Sequence, residues 1–377
     1  MRVGIDARLL AVPITGIGRY TWQMSRELLA RDGEFFLYMP GPAVVGDWQA
    51  PNVHVRSRGV PGRLGRMLWS QTVLPRQAAR DRLDVFWGTA HRLPAGLGAE
   101  VARVVTIHDL VWKYAAATMR ADSRCAERLL MPRAIRLADR VLAVSQNTAQ
   151  AVEEVFPFAR GKVRVVYPGA TPLAPAAARA TLAPLGVDRP YFLFVGTLEP
   201  RKNLRRLLGA YARLPVAVRD GHRLVIAGGS GWGGVDASQL AGELGIAGNV
   251  VITGYVDDAH LATLYAHARF LAMPSLYEGF GLPLVEAMSC GVPVLASNVS
   301  SLPEVAGDAG LLVDPLDEAA IAQGLQRLLT DDDLHQALAA RAREAAARFS
   351  WAQAARETWQ VFEEAREARR GRRGRPS

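Results

Sequence analysis

The sequence predicts an α/β protein of two doubly wound domains, each a parallel sheet with helices on both faces. Three observations carry this. Short apolar runs recur along the whole chain between helical patterns, without the alternation of half-exposed strands, as buried parallel strands require. The chain has 377 residues, 50% of them hydrophobic, which is enough for two cores. A Pro- and Ala-rich stretch with little periodicity divides the runs into two groups.

In the first half, strands are expected at residues 3–7, 35–39, 53–56, 85–87, 104–107, 141–144 and 163–166. In the second half they are expected at 191–195, 224–227, 250–253, 270–273, 292–296 and 310–313. The implied organisation is an N-terminal domain at 1–168, a linker at 169–190, a C-terminal domain at 191–349 and a terminal segment at 350–377. A cleft is expected between the domains, because doubly wound sheets bind ligands beyond the carboxyl ends of their strands. An Ala/Arg/Glu-rich segment runs from about residue 331 to 370, interrupted near Phe349-Ser350-Trp351. Ser350 suits the N-cap of the last helix. The end is basic, with Arg366, Arg369, Arg370, Arg372, Arg373 and Arg375 against Glu367. Such a like-charged end is expected to fray.

Composition excludes several classes. Cys125 and Cys290 match no disulfide or zinc spacing, which fits a reducing cytosol. The first residues read as a strand rather than a signal peptide, and no apolar run reaches the ~18 residues of a membrane span. The net charge of +9 is uneven: residues 1–170 hold 24 Lys and Arg against 14 Asp and Glu. A basic first half suits an anionic partner. Nucleic acid is disfavoured, because no zinc-finger spacing or RNP-type aromatic motif accompanies the charge. An anionic membrane face matches at least as well, and arginine-rich solvated helices are the plain alternative.

The most informative run is Glu278-Gly279-Phe280-Gly281-Leu282-Pro283-Leu284-Val285-Glu286. Two glycines and a proline directly precede a helix, with a carboxylate on each side. Proline suits the first helical position, and glycine lets the backbone turn and approach a ligand. The N–H groups of a helix start, backed by its dipole, face an anion. Glu286 lies about one turn inside, where its carboxylate can accept from hydroxyls. Phosphate and polyol recognition are thus side by side, as a sugar nucleotide requires.

Other candidates sit at strand ends. Thr15-Gly16-Ile17-Gly18-Arg19-Tyr20 is a Gly-rich strand-to-helix turn. It lacks the third glycine and the later acidic residue of a dinucleotide fingerprint, which disfavours a nicotinamide enzyme. His108 and Asp109 follow the strand at 104–107 and His91 follows the strand at 85–87, with His91 and Asp109 on the prospective acceptor side. Gly196-Thr197-Leu198-Glu199-Pro200-Arg201-Lys202-Asn203 follows the strand at 191–195. Adjacent Arg201 and Lys202 suit a diphosphate, and cations at a helix start need an anion to offset the dipole. The loop 228–232 is a further candidate beside the nucleotide.

The Gly-rich turn, His-Asp after a strand, the Gly-Thr-Leu-Glu-Pro-Arg-Lys-Asn run and the Glu-x7-Glu element appear in the order seen in GT-B glycosyltransferases of family 4. The resemblance covers nearly the whole chain and is densest over residues 191–315. Within that family the chain resembles bacterial mannosyltransferases that build O-antigen and other surface polysaccharides. The resemblance implies the GT-B fold: two Rossmann-like domains facing a central cleft, with the last helix crossing back to the first domain. It implies that Arg201 and Lys202 bind the donor diphosphate and Glu286 the ribose. Glu278, Gly279, Phe280, Gly281 and Leu282 would contact the transferred hexose and the phosphates, with Gly196 at the donor turn. His108 would lie beside donor sugar and acceptor, and Gly16 with Gly18 would close over the diphosphate. It further implies retention of anomeric configuration and no bound metal or cofactor. The run Asp331-Asp332-Asp333 is read as helix capping rather than a metal site.

The donor implied is GDP-mannose, with a UDP-sugar as the alternative. The acceptor implied is a glycan or polyprenyl-diphosphate-linked sugar. Arg56, Arg58, Arg63 and Arg66 precede Met67-Leu68-Trp69, and Arg120, Arg124, Arg128, Arg133 and Arg136 surround Leu129-Leu130-Met131. Both segments suit peripheral contact with an anionic membrane from the cytoplasmic side. A sugar-nucleotide epimerase of the same fold and a catalytically silent scaffold are the competing readings.

Overall fold

In the computed structural model, all residues are described except Thr15, Pro61, Gly234, Val235 and 374–377, and the side chains of Arg63, Leu64, Met67, Arg372 and Arg373. Thr15 of the Gly-rich turn, the side chains of Arg63 and Met67 in the first basic segment, and Arg372, Arg373 and Arg375 of the basic end therefore lie outside the described residues. In chain order the elements are β1 (Arg2–Asp6), α1 (Gly16–Leu29), β2 (Glu34–Met39), β3 (Val53–Ser57), α2 (Gly62–Arg80), β4 (Val85–Gly88), β5 (Ala102–Ile107), α3 (Val111–Tyr114), α4 (Ala121–Leu137), β6 (Arg140–Ala143), α5 (Gln146–Val155) and β7 (Val163–Val165). There follow β8 (Tyr191–Val195), α6 (Leu204–Ala212), α7 (Val216–Gly221), β9 (Arg223–Ala227), α8 (Ala237–Glu243), β10 (Val250–Gly254), α9 (Asp258–His267), β11 (Leu271–Met273), α10 (Leu282–Ser289), β12 (Val294–Ser297), α11 (Leu302–Ala306), β13 (Gly310–Val313), α12 (Glu318–Thr330), α13 (Asp332–Ala347) and α14 (Trp351–Arg373). Each expected strand has a counterpart, displaced by one or two residues at most ends.

The chain forms two compact units. The first holds Met1–Leu110, Cys125–Gly169 and Ser350–Ser377. Its seven strands are ordered β3-β2-β1-β4-β5-β6-β7 and pair in parallel. The centre is apolar on both faces, since Val3, Ile5, Val85, Phe86, Trp87, Val104, Val105 and Ile107 are buried. α14 completes this unit: Trp351, Ala354, Ala355, Thr358, Phe362 and Ala365 are buried at helical spacing. The Phe362 ring lies 5.9 Å from that of Trp87. Arg140 Nε donates to Glu364 at 2.9 Å and pins the outer face.

The second unit holds Val111–Arg124 and Ala170–Phe349, with strand order β10-β9-β8-β11-β12-β13. Its pairs are also parallel. Phe192, Phe194, Leu207, Leu208, Tyr211, Ile226 and Leu325 form the core of one face. The first unit is therefore not the continuous 1–168 span: residues Val111–Arg124 group with the second, where Tyr114 stacks on Tyr277 at 5.7 Å. The 169–190 stretch packs on the second unit. Arg179–Leu185 forms a 3-10 turn with Leu182 buried, and Ala177 is held by Thr263 Oγ1 (3.1 Å) and His267 Nε2 (2.9 Å) of α9. Proline and alanine hide such packing, because the bonds go to main-chain groups that every residue carries.

Phe362→Ala is expected to destabilise the first unit by about 3–5 kcal/mol, because a fully buried aromatic leaves a cavity against the sheet. Urea unfolding followed separately in each unit should show the loss in the first transition alone.

Candidate active site

In the second unit the candidate residues gather where β8, β9, β11 and β12 end. After β8 the chain makes a 3-10 turn, Pro200–Lys202, and Asn203 takes the left-handed conformation (φ 61°) before α6 begins. Asparagine tolerates that region better than most residues. Its amide donates to the carbonyls of Pro274 (2.9 Å) and Pro315 (2.7 Å), tying the turn to the loops after β11 and β13. Arg201 and Lys202 are thereby aimed at the loop after β11. Arg201 donates to the Tyr277 carbonyl at 3.0 Å and forms a close ion pair with Glu278 Oε2. Lys202 Nζ donates to Glu278 Oε1 at 2.7 Å. Glu278 and Lys202 are buried.

The triad sets its own protonation. Burial opposes charge on Glu278, but Arg201 and Lys202 outweigh it and hold the carboxyl down at about 2. Burial, with Arg201 beside it, pushes Lys202 below the usual lysine range despite the attraction of Glu278. The anion that offsets two cations before α6 is thus supplied by the chain itself.

The glycine-proline element folds as a helix start. Gly281 has φ 105°, and a Cβ there would lie 2.9 Å from Leu302 Cδ2, so glycine is required. α10 then opens at Leu282, which places Pro283 second rather than first in the helix. Ser301 Oγ donates to the carbonyls of Glu278 (3.0 Å) and Phe280 (3.1 Å), and Ser300 Oγ accepts from the Glu278 amide (3.1 Å). The Leu284 amide donates back to the Gly281 carbonyl at 2.9 Å and closes the first turn of α10. One turn in, Glu286 is buried and accepts from the Tyr265 hydroxyl at 2.8 Å. Gly196 and Gly228 pack tightly at the ends of β8 and β9; a Cβ on Gly228 (φ 153°) would lie 2.1 Å from the Gly196 carbonyl oxygen. Beside them Leu198, Ser230, Gly231, Trp232, Asp236, Ala237, Ser238 and Ile252 line a cavity of ≈ 440 Å³.

In the first unit, His108 follows β5 and is buried. Its Nε2 faces the Thr89 carbonyl at 2.8 Å, so the ring proton sits on Nε2 and Nδ1 keeps its lone pair. Burial, with His91 beside it, lowers its pKa to about 3, so the ring is neutral at physiological pH. Asp109 is half-buried and contributes a negative charge near His91. His91 is buried next to His108. Its Nε2 accepts from the His108 amide at 2.9 Å and its Nδ1 faces Glu127 Oε2 at 3.2 Å, so both ring nitrogens are engaged inside the protein. Gly16 and Gly18 form the first turn of α1 rather than a separate loop.

Sequence reading missed Asn203, Tyr265, Ser300, Ser301 and Glu127. Asn203 closes the recognised run, and a helix preceded by a left-handed residue is a readable signal. Tyr265 and Glu127 carry none, because their partners are distant in sequence. Among the described residues no helix is long and apolar enough to cross a membrane, and no three His, Cys, Asp or Glu cluster as a metal site needs.

Comparison with known proteins decides the family. The description "Glycosyltransferase Family 4" matches residues 14–172, and "Glycosyl transferases group 1" matches residues 183–345. An O-antigen chain mannosyltransferase B of Escherichia coli is 33% identical over 96% of this chain and 100% of its own length. The chain belongs to glycosyltransferase family 4. The glycosyltransferase also shares its fold with WaaG, a glycosyltransferase involved in lipopolysaccharide biosynthesis: TM-score 0.77, 19% identity, 96% of this chain and 99% of that one. HepE of Anabaena in complex with UDP-glucose superposes with TM-score 0.72 at 20% identity, over 96% and 99%. Both likenesses establish the fold, which is GT-B, with the sheets of seven and six strands described above.

Acid stability follows from the triad. Because Glu278 has a folded pKa of about 2 against an ordinary 4.5, its contribution is present above pH 4.5 and lost as pH falls towards 2. That contribution is on the order of 3 kcal/mol at neutral pH. Glu278→Gln should be less stable than wild type at pH 6, with the difference shrinking between pH 4.5 and 2. Urea midpoints of both proteins across that range measure it.

Proposed function

We propose that this glycosyltransferase moves mannose from GDP-mannose, with retention and without a bound metal, to a glycan or polyprenyl-diphosphate-linked sugar in cell-surface polysaccharide synthesis. What carries the reading is the Arg201–Lys202–Glu278 cluster beside the α10 start, in a chain similar along its whole length to an O-antigen mannosyltransferase. In this reading the second unit holds the donor and the first the acceptor. Glu286 takes the ribose hydroxyls, and the start of α10 with Arg201 and Lys202 takes the diphosphate. As the bond from the anomeric carbon to the phosphate oxygen breaks, negative charge grows on the departing nucleoside diphosphate. Two fixed cations and a helix start stabilise it, and one such donor is commonly worth roughly 3 kcal/mol of barrier. The acceptor hydroxyl attacks the same face and its proton passes to the departing phosphate. The engagement of both Glu278 oxygens by cations supports front-face attack over a glycosyl-Glu278 intermediate, because neutralised oxygens are poor nucleophiles. Neutral His108 offers a lone pair to a sugar hydroxyl.

Catalysis at the cytoplasmic face of a membrane fits this acceptor. Leu68 (54% exposed) and Leu129 (67% exposed) project from the arginine-rich helices α2 and α4. Flotation with anionic vesicles at low salt should capture the protein, and salt should release it; no capture at low salt removes the membrane from the reading.

Thermal stabilisation by GDP, GDP-mannose, UDP and UDP-glucose, with and without magnesium, tests the donor. A ligand at 100 times its Kd adds roughly 2.7 kcal/mol. The expected result is a shift with the guanine species that is independent of magnesium and abolished in Arg201→Ala. A shift confined to UDP species replaces the donor, and no shift with any nucleotide favours a silent scaffold. Gly16 gives a second test, since nothing lies within 4 Å of a Cβ built there. Gly16→Ala should fold like wild type yet bind the donor more weakly, as expected of a turn that closes over the diphosphate. Equal stability and equal affinity would remove Gly16 from the donor site.

A further inference from the structure

We infer that Glu127, on α4, is a positioning residue for the transfer reaction: it holds His91 in the tautomer that fixes the backbone and ring of His108. The inference rests on the reading of His108 as a group that meets the sugar. Three hydrogen bonds form one continuous chain. The Glu127 carboxylate lies 3.2 Å from His91 Nδ1. His91 Nε2 accepts from the His108 amide at 2.9 Å. His108 Nε2 donates to the Thr89 carbonyl at 2.8 Å. An amide N–H can only donate, so while this bond is made His91 Nε2 is bare and the ring proton sits on Nδ1, where it needs an acceptor. A carboxylate facing Nδ1 fixes that tautomer. Arg92 holds the second carboxylate oxygen at 3.3 Å, so Glu127 cannot swing away cheaply.

The chain is held under strain. His91 has φ 55°, a region that costs a residue with a Cβ on the order of 1–3 kcal/mol. A strained residue with both ring nitrogens engaged is a brace, and what it braces is the peptide of His108. The other consequence concerns protonation. Burial disfavours charge on His91, while Glu127 and Asp109 favour it and Arg92 opposes it. Protonation would place an Nε2–H against the His108 N–H, two donors face to face, and the chain would break. Neighbouring His108 stays neutral under its own burial, so the titrating member of the pair is His91.

The test uses the full-length protein labelled with ¹⁵N-histidine, in wild type, Glu127→Ala, Glu127→Gln and His108→Ala. Long-range ¹H–¹⁵N spectra read the tautomers. Turnover is read as sugar and nucleotide released from GDP-mannose or UDP-glucose. The expected result is an Nδ1–H tautomer for His91 in wild type and Glu127→Gln, whose amide oxygen still accepts, and its loss in Glu127→Ala. In turnover, kcat should fall on the order of 10- to 100-fold in Glu127→Ala with donor KM unchanged, as for a small misplacement of a reacting-site group. Glu127→Gln should restore kcat at neutral pH and move the acid limb of its profile to lower pH, because the carboxylate no longer favours the imidazolium. An unchanged His91 tautomer in Glu127→Ala overturns the inference whatever the turnover. So does wild-type kcat in Glu127→Ala where His108→Ala is inactive. Full turnover in His108→Ala instead refutes the role given to His108, while the spectra still decide the hydrogen-bond chain.

Discussion

Burying Glu278 removes a carboxylate from water, and Arg201 and Lys202 must offset that loss together, one on each oxygen. Most of the second unit's local architecture serves this arrangement. Asn203 fixes the turn that carries the cations, Ser300 and Ser301 fix the loop that carries the anion, and Gly281 lets that loop enter α10. Loss of one partner would strand a buried charge, which is far costlier than loss of a surface pair. The same triad gives the second unit both a stability element and two cations fixed at one loop.

Both units use the parallel sheet in the same way. The strands are consumed in packing, so polar residues with free chemistry accumulate just past their carboxyl ends. Gly196, Gly228, Glu278 and Ser300 follow β8, β9, β11 and β12, and Thr89, His91 and His108 follow β4 and β5. The two sites differ in their electrostatics. The second unit concentrates fixed charge around a buried carboxylate. The first surrounds a neutral imidazole with hydrogen bonds, and burial lowers the pKa of His108 to about 3.

The central strands were legible because a strand covered on both faces must be apolar throughout. The Glu278–Glu286 element was legible because glycine and proline carry their backbone geometry in their identity. The linker, the extent of the first unit and the role of His91 were less legible. Ala177 binds through main-chain atoms, Val111–Arg124 groups with the second unit rather than with the residues around it in sequence, and His91 is defined by a glutamate on another element.

By itself, then, the sequence determined the two sheets and the order of their elements along the chain, because periodicity, glycine and proline are local constraints that need no partner. Only the tertiary structure decided that Glu278 answers Arg201 and Lys202, that His108 is neutral with its proton on Nε2, and that Glu127 stands behind His91. Those facts are set by distance and desolvation between residues far apart in the chain, and neither quantity exists until the chain has folded.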